Sequence, residues 1–324
     1  MAYLQHPERD QPVYLVAHHT IGRRQGAVDT RITSAEISGI HAAIQWTGTH
    51  WNIRDLSRNG TWLNEQQLVP AKSYPLQHGD RICFGRANNP TWIVENLDAP
   101  ENLLIDLQTG DAQLLEQYHL LPDDSEPLAS LHFNPVAGQW QYEFTGNSAE
   151  GGNKSLLGHS DRIDCGLHSW QLFLADNQGA TKELALQQLS ITDFHLRFSV
   201  SSHEEHVQLQ LQQAKMTLPL PARIHNYLLL YLARARIKDM QNGMDQDSQG
   251  WVSIQVATHE LGITVNHLNT QIFRARKQIS ESLPDAVDIS NLVERRSWEI
   301  RLGCHQFEIH KSTQLEARTD SEEQ

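Results

Sequence analysis

Residues 55–64 read Asp55-Leu56-Ser57-Arg58-Asn59-Gly60-Thr61-Trp62-Leu63-Asn64, and this stretch decides the fold of the first part of the chain. It places turn-forming residues between two short β-type runs, Trp51–Asp55 and Thr61–Leu63. Glycine adopts the backbone conformations that tight turns need, and Asn and Ser also favour turns. The stretch therefore predicts two strands joined by a polar turn.

The surrounding sequence continues in the same style. Further β-type runs broken by turn residues are Val13–Ala17, His41–Trp46, Arg81–Phe84 and Thr91–Val94. The alternation of Trp51 and Ile53 with polar residues is typical of half-buried strands. The region predicts an all-β sandwich.

Three more motifs flank this stretch in a fixed order. They are Ile21-Gly22-Arg23, then Ile37-Ser38-Gly39-Ile40-His41-Ala42, and Leu76-Gln77-His78-Gly79-Asp80-Arg81-Ile82-Cys83-Phe84-Gly85. Together with residues 55–64 they resemble the forkhead-associated (FHA) domain, a β-sandwich that binds phosphothreonine peptides through the loops at one end. Loops on a rigid sandwich are where binding groups usually lie.

The resemblance implies which residues contact a phosphopeptide. The implied ligands are Arg23, Ser38, Arg58 and Asn59. A guanidinium fork and a short hydroxyl donor suit a nearly dianionic phosphate with three acceptor oxygens, and the Asn amide suits a peptide main chain. Structural roles are implied for Gly22, His41 and Gly60.

Two features depart from the family pattern. Gly39 lacks the basic or amide side chain often found at its position, which removes one phosphate contact. Arg24 and Arg31 lie nearby and either supplement the phosphate grip or are simply solvated. The sequence leaves both alternatives open.

The composition excludes several classes of protein. The chain has 324 residues, a net charge of −13, a mean hydropathy of −0.50 and three cysteines, too few and too distant for a disulfide framework or a zinc site. No apolar run approaches the roughly 20 residues of a membrane span, and residues 1–11 lack a secretory signal. Phosphate-loop, kinase and nucleophile-elbow signatures are absent from the sequence. We expect a cytoplasmic binding protein that is not an enzyme and needs no cofactor or metal.

The acidity lies in the middle of the chain. Residues 11–97 and 210–312 each carry a net charge of +2, whereas residues 98–209 carry −13. Leu128–His132 with Gln139–Tyr142, and later His159–Gly166, repeat patterns of the first domain without its phosphate ligands. This predicts a degenerate FHA-like β domain that acts as a spacer or protein contact, with chance similarity as the alternative.

From about residue 205 the hydrophobic period changes to that of helices. One apolar stripe consists of Ile224, Leu228, Tyr231, Leu232 and Ala235, and another of Leu268, Ile272, Ala275, Ile279 and Leu283. A short helix ends before Gly262, and a hairpin follows the second long helix. This region resembles the winged-helix domain of OmpR-type transcription regulators, with residues 268–279 similar to the recognition helix.

This second resemblance implies a DNA-binding surface. Helical geometry puts Thr270, Arg274 and Lys277 opposite the apolar stripe, on a face that could enter a major groove. The hairpin residues that could contact the DNA backbone or minor groove are Arg295, Arg296 and Arg301. The alternatives are a solvated helix face, a winged helix that binds protein, and a different helical fold.

The predicted architecture is a multidomain α+β protein. Its parts are an FHA phosphothreonine-binding β-sandwich (11–97), a β-rich degenerate FHA-like domain or spacer (103–200), a winged-helix domain (205–312) and a disordered tail (313–324). The predicted function is phosphothreonine-peptide-binding signalling and DNA-binding transcription regulation. The alternative is an adaptor that assembles a protein complex through its C-terminal domain. Expected partners are a phosphothreonine-containing protein, double-stranded DNA and an upstream Ser/Thr kinase.

Overall fold

The computed structural model describes residues 1–6, 8, 12–87, 89–145, 153–175, 189–214, 216–284 and 287–319. The chain forms two compact units. The first comprises residues 1–115, 158–163 and 170–184, and the second comprises residues 116–157, 164–169 and 185–324. The domain boundaries expected from the sequence stay predictions, but the segment 103–200 contributes strands to both units.

Short strands make up the first unit as far as residue 96. They are β1 (Tyr3–Gln5), β2 (Pro12–Tyr14), β3 (His18–Gly22), β4 (Thr30–Arg31), β5 (Ala42–Trp46), β6 (Trp51–Asp55), β7 (Thr61–Leu63), β8 (Gln66–Gln67), β9 (Ser73–Pro75), β10 (Arg81–Phe84) and β11 (Thr91–Asn96). They form one sheet of order β2-β1-β11-β10-β7-β8 and another of order β4-β3-β5-β6-β9. Strands β3 and β4 pair in parallel, and the other neighbouring strands are antiparallel.

The two sheets share one core because their strands alternate between buried and exposed side chains. In β6, Trp51 and Ile53 are buried whereas Arg54 is exposed. The core includes side chains of both sheets, among them Leu4, Ile21, Ile44, Ile53, Ile82, Phe84 and Val94. The β-sandwich predicted from the alternation is confirmed.

The middle of the chain adds two smaller sheets. Its strands are β12 (Leu103–Asp106), β13 (Ala112–Leu114), β14 (Tyr118–Leu121), β15 (Ala129–Asn134), β16 (Gln139–Phe144), β17 (Asn153–Leu157), β18 (Arg162–Cys165) and β19 (His168–Phe173). The sheet orders are β13-β12-β19-β18 and β14-β15-β16-β17. The proposed repeat of the first sandwich stays an interpretation.

Within the described residues, the second unit continues with strands, three α-helices and two short 3-10 helices, Ile191–Asp193 and Ser290–Leu292. Its further elements are β20 (Leu189–Ser190), β21 (His195–Val200), β22 (Val207–Gln213), β23 (Met216–Leu220), α1 (His225–Gln241), β24 (Val252–Ser253), α2 (Ile254–Leu261), α3 (Val265–Ser280), β25 (Val287–Asp288), β26 (Val293–Arg296), β27 (Glu299–Leu302), β28 (Phe307–Lys311) and β29 (Gln314–Arg318). The sheet orders are β23-β22-β21-β28-β29, β24-β27-β26 and β20-β25.

Local sequence explains where the two shorter helices begin and end. Helix α2 ends at Gly262, whose φ of 64° is left-handed and suits glycine. Helix α3 begins after Thr264, whose hydroxyl accepts a hydrogen bond from the N–H of His267 at 3.2 Å. Of the helices in the described residues, none is both long and apolar enough to span a membrane.

The end of the chain differs from the sequence prediction. The disordered tail expected over 313–324 is wrong for residues 314–318, which form β29 against β28. Glu316 of this strand forms an ion pair with Arg234 of α1 at 2.8 Å. Such a pairing depends on distant residues and cannot be read from the polar composition of the tail. Residues 320–324 lie outside the described residues.

We predict that Gly22→Ala destabilises the sandwich by about 3 kcal/mol, as is typical of forced overpacking. A Cβ at this position would lie 2.3 Å from the carbonyl oxygen of Gly39, a backbone atom that cannot turn aside. Urea unfolding measures the loss. The matched control is Gly39→Ala, whose Cβ would meet the nearest atom, Arg24 Cβ, at an ordinary 3.8 Å. Equal stability losses in the two variants would contradict the packing argument.

We also predict that the chain loses stability as the pH falls from 7 to 5. Burial lowers the pKa of His19 to about 4, so the native side chain stays neutral while the unfolded one takes up a proton below pH 6.5. This difference removes about 2 kcal/mol at pH 5. Urea unfolding of wild type and His19→Gln at both pH values measures it. An unchanged pH difference in the variant would exclude His19 as the source.

Candidate phosphopeptide site and the polar face of helix α3

Arg23 follows directly after β3, at one end of the sandwich. Its main-chain N–H donates to the carbonyl of Ser38 at 2.9 Å, and its side-chain Nε donates to the carbonyl of Ile37 at 3.1 Å. The side chain is exposed. Because the contacts within the described residues engage Nε alone, the terminal guanidinium nitrogens keep their donors for an anion.

Ser38 joins two loops at the same end. Its Oγ accepts a hydrogen bond at 3.1 Å from the main-chain N–H of Arg58, which lies in the turn between β6 and β7. The hydroxyl proton of Ser38 is thereby left to donate to another acceptor. The structure thus brings Ser38 beside both Arg23 and Arg58, three of the four predicted phosphopeptide ligands.

Asn59, the fourth predicted ligand, is oriented by the loop before Ser38. Its Nδ2 donates to the main-chain oxygen of Glu36 at 2.6 Å. The Glu36 carboxylate in turn pairs with Arg86 at 3.0 Å. The amide oxygen of Asn59 accepts no hydrogen bond from the described residues, so it can accept one from a peptide main chain.

His41 braces these loops from inside the sandwich. Its Nδ1 accepts a hydrogen bond from the N–H of Ser38 at 3.0 Å, and its Nε2 lies 3.1 Å from the carbonyl oxygen of Gly60. These partners require the neutral tautomer with the proton on Nε2. Burial lowers the pKa of His41 and so favours that neutral form. The contacts support the architectural role that the family resemblance implies.

The turn of residues 55–61 has an internal support that the sequence analysis did not identify. Asp55 Oδ1 accepts hydrogen bonds from the hydroxyls of Ser57 and Thr61, each at 2.7 Å. The Ser57 hydroxyl accepts one from the N–H of Gly60 at 2.7 Å. Gly60 has a φ of +94°, which favours glycine. The sequence signal that could have revealed this support is Asp55 and Ser57 at the start of the turn, since both residue types commonly form hydrogen bonds within turns.

A depression of about 470 Å³ lies next to these groups. It is lined by Arg23, Arg24, Arg31, Thr33 and Gly39. Arg31 is held in place because its Nε donates to the carbonyl of Arg23 and its Nη1 to Gln25 Oε1, both at 3.3 Å. The depression is therefore lined by three guanidinium-bearing side chains, one of them the predicted phosphate ligand.

In the second unit, α3 does not present a free basic face. Arg274 Nη2 donates to the main-chain oxygens of Asp124 and Ser125 at 2.7 and 2.9 Å. Lys277 Nζ pairs with Asp124 at 2.9 Å and with Glu116 at 3.1 Å. Burial opposes the charge of Lys277, but these two carboxylates prevail and raise its pKa. Acidic residues near β14 thus occupy the positions that DNA phosphates would need.

Two other predicted DNA contacts are buried, and the expectation that they face solvent is wrong. Thr270 is 7% exposed, and its hydroxyl donates to the carbonyl of Asn266 at 3.0 Å. Arg301 is 8% exposed and pairs with Glu294 at 2.6 Å. Both side chains already have partners within the unit.

The remaining two predicted DNA contacts also have intramolecular partners. Arg295 is half-buried and donates to Asn269 Oδ1 at 2.5 Å. Arg296 is exposed, pairs with Glu299 at 2.8 Å and stacks on the ring of Trp251 at 4.1 Å. Of the six candidates, Arg296 is the one whose side chain is clearly accessible.

A buried ion pair explains why α3 is covered. Arg276 and Glu143 of β16 lie 3.0 Å apart, and both side chains are 2% exposed. Arg276 also donates to the carbonyls of Ser290 and Val293 at 2.8 and 3.0 Å. Burial favours the neutral carboxyl, but Arg276 outweighs this effect and lowers the pKa of Glu143. The β14–β17 sheet is therefore attached to α3 by a buried ion pair whose arginine also binds two main-chain carbonyls.

The sequence did contain one signal of this cover. Phe273 lies off the apolar stripe of α3, yet it is 1% exposed. A helix with a large apolar residue outside its stripe buries more than one face. The stripe itself is confirmed, since Leu268, Ile272, Ala275 and Ile279 are all buried.

Comparison with known proteins supports the presence of an FHA domain in the first unit. The family model of the FHA domain matches residues 19–85, which contain all four motifs. The chain is 31% identical over 129 residues to the E3 ubiquitin-protein ligase CHFR of Mus musculus and 35% identical over 91 residues to the DNA damage response protein kinase DUN1 of Saccharomyces cerevisiae. These matches cover 37% and 25% of this chain, but 19% and 17% of the relatives. The chain thus spans less than a fifth of their length.

A solved structure also resembles part of the chain. It is the N-terminal FHA domain of Saccharomyces cerevisiae Rad53p in complex with a phosphothreonine peptide, 28% identical, with a TM-score of 0.22. The match covers 24% of this chain and 64% of that one. The FHA domain expected from the four motifs is confirmed by the family model.

We predict that single changes to the buried ion pair of α3 are far more costly than the double change. Glu143→Leu leaves Arg276 charged and unpaired, so it should cost about 3–5 kcal/mol in urea unfolding. Adding Arg276→Met should recover most of that loss, because a well-packed apolar pair replaces the charges. A single variant within about 1 kcal/mol of wild type would contradict the role of the pair.

Proposed function

We propose that this protein binds phosphothreonine peptides through its FHA domain and acts as a signalling adaptor downstream of a Ser/Thr kinase. It binds and does not catalyse. The observation that carries the proposal is the convergence of Arg23, Ser38 and Arg58 at one end of a rigid sandwich, where they keep donors that no described residue uses.

The chemistry of these donors matches phosphothreonine. A phosphate monoester carries a charge of about −1.5 to −2 near neutral pH and offers three strong acceptor oxygens. Arg23 can donate two parallel hydrogen bonds, and Ser38 a short neutral one. Asn59 would contact the peptide main chain beside the phosphate. A protein target that has been phosphorylated by a kinase presents these groups, whereas its unmodified form does not.

The C-terminal part of the second unit supports the adaptor more than the DNA regulator. Uncovering α3 for DNA would expose Tyr118 and Leu120, at about 2 kcal/mol each, and separate Arg276 from Glu143, at about 3–5 kcal/mol. Non-specific DNA binding, with a Kd of about 10⁻⁴–10⁻⁶ M, supplies about 5–8 kcal/mol. The two contributions cancel, so the closed unit has little affinity left for DNA.

The DNA-binding regulator is retained as a second candidate for one reason. The order α1, β24, α2, α3 and the β26–β27 hairpin, with the small sheet β24-β27-β26, agrees with a winged helix. In the adaptor, the same winged helix contacts protein.

We predict that the full-length protein binds a phosphothreonine peptide and not its unphosphorylated form. The probe is a fluorescent peptide pool with one fixed phosphothreonine, and fluorescence anisotropy gives the Kd. Arg23→Ala and Ser38→Ala should each weaken binding at least about tenfold, since each removes a charge-assisted hydrogen bond. The matched control Arg54→Gln removes an exposed charge from β6 and should change the Kd less than about twofold.

Failure of every phosphothreonine peptide to bind, or equal binding of the unphosphorylated pool, would overturn this proposal.

A separate measurement decides between the two roles of the C-terminal domain. Labelled duplex DNA is titrated with the full-length protein at several salt concentrations. If the protein is an adaptor, we expect no salt-dependent DNA binding by the wild type. Arg274→Ala and Lys277→Ala should then give the same titration as the wild type. Binding that falls steeply with salt and is lost in these variants would establish the DNA regulator instead.

A further inference from the structure

The arginines beside the phosphate site are unusual for so acidic a chain. The net charge is −13, yet no carboxylate of the described residues lies within the 4 Å of an ion pair from Arg23, Arg24 or Arg31. In the second unit, by contrast, Lys277 lies within ion-pair distance of three carboxylates and Arg234 of two. Uncompensated charges of one sign in a depression produce a strong local potential.

These charges exceed what one phosphothreonine needs. A phosphothreonine carries a charge of about −2, which Arg23 and the neighbouring Arg58 can balance. Arg24 and Arg31 then remain as two further positive charges on the wall of the same depression. Their charge is complementary to a second anionic group, and not to a neutral peptide side chain.

The geometry leaves room for such a group. Gly39 forms part of the wall without a side chain, and a Cβ built on it would reach only Arg24 Cβ, at 3.8 Å. Where the family often has a basic or amide side chain, this chain therefore has open space beside Gly39, and Arg24 borders that space. Arg31 is fixed by its bonds to the carbonyl of Arg23 and to Gln25, and its Nη2 keeps its donors.

We infer that the depression lined by Arg23, Arg24, Arg31, Thr33 and Gly39 receives a second anionic group of the peptide, next to the phosphothreonine. This inference rests on the proposed function and specifies its substrate class as a phosphothreonine peptide with two anionic groups. A carboxylate of Asp or Glu and a second phosphate share the required chemistry. Arg24 and Arg31 determine the specificity, whereas Arg23 holds the phosphothreonine.

The test compares three sets of fluorescent peptides on the full-length protein. All have one fixed phosphothreonine in a neutral background, and the second position, scanned over three residues on either side, is Ala, Asp or phosphoserine. The best peptide with two anionic groups should bind about tenfold more tightly than the Ala peptide, and the gain should shrink with added salt. Comparing the Asp and phosphoserine sets identifies the source of the second charge.

Variants separate a local contact from a general charge effect. Arg24→Gln should reduce the tenfold gain to about twofold while leaving the Kd of the Ala peptide within about twofold. Arg31→Gln should also reduce the gain, but it removes a hydrogen bond to the carbonyl of Arg23, so the Arg24 variant is the decisive one. Arg24 has no side-chain hydrogen bond to a described residue, so its variant tests the inference without loosening the loop. The matched control Arg54→Gln should keep the full gain.

Three results would overturn the inference alone. They are equal affinity for the Ala and doubly anionic peptides, an equal loss of gain in Arg54→Gln, and a proportional weakening of all peptides in the Arg24 variant. The absence of binding by every peptide would instead overturn the proposed function, and the inference with it.

Discussion

One imidazole ring holds the binding end of this protein together. His41 accepts from the N–H of Ser38 through one nitrogen and faces the carbonyl of Gly60 with the other, so two loops are fixed at a defined separation. The loops carry Ser38 and Arg58, which are 20 residues apart in sequence and are joined by a hydrogen bond of their own. The ring can perform this role only while it is neutral, and burial ensures that it is. The positions of the predicted ligand residues therefore depend on a side chain that is itself fully buried.

Basic side chains of this protein occur in two different environments, with and without carboxylate partners. On α3, Arg276 and Lys277 form ion pairs with carboxylates of the acidic middle segment, and this side of the helix is packed against that segment. At the end of the sandwich, Arg23 and its neighbours have no such partners among the described residues, and their positive charges remain on an accessible surface. The net charge of a segment does not distinguish these outcomes, because what decides them is whether a carboxylate folds against the guanidinium.

This difference also sets the limit of what the sequence could predict. Most of the predicted sandwich strands and the apolar stripe of α3 follow from local periodicity and turn chemistry, whereas the four motifs were identified by their resemblance to a known family. The predicted run Val13–Ala17 is a strand only as far as Tyr14, and the next strand begins at His18. The cover on α3 does not follow, since Lys277 and its partner Asp124 are 153 residues apart. Strand β29 was missed for the same reason, because its polar residues pair with β28 and with Arg234 and do not form a local pattern. The family resemblance suggests Arg23, Ser38, Arg58 and Asn59 as ligands, which stays a prediction, and the hydrogen bonds that position these residues could be seen only in the folded chain.

The short strand β29 has a practical consequence for anyone who shortens this protein. It is the outer strand of the sheet β23-β22-β21-β28-β29, so cutting the chain at residue 312 would leave β28 as a bare edge. Its unpaired N–H and C=O groups would then be a template on which another chain can add a strand. Arg234 would at the same time lose one of its two carboxylate partners. A shortened protein would therefore tend to self-associate, and the resulting oligomers would say nothing about the assembly of the intact chain.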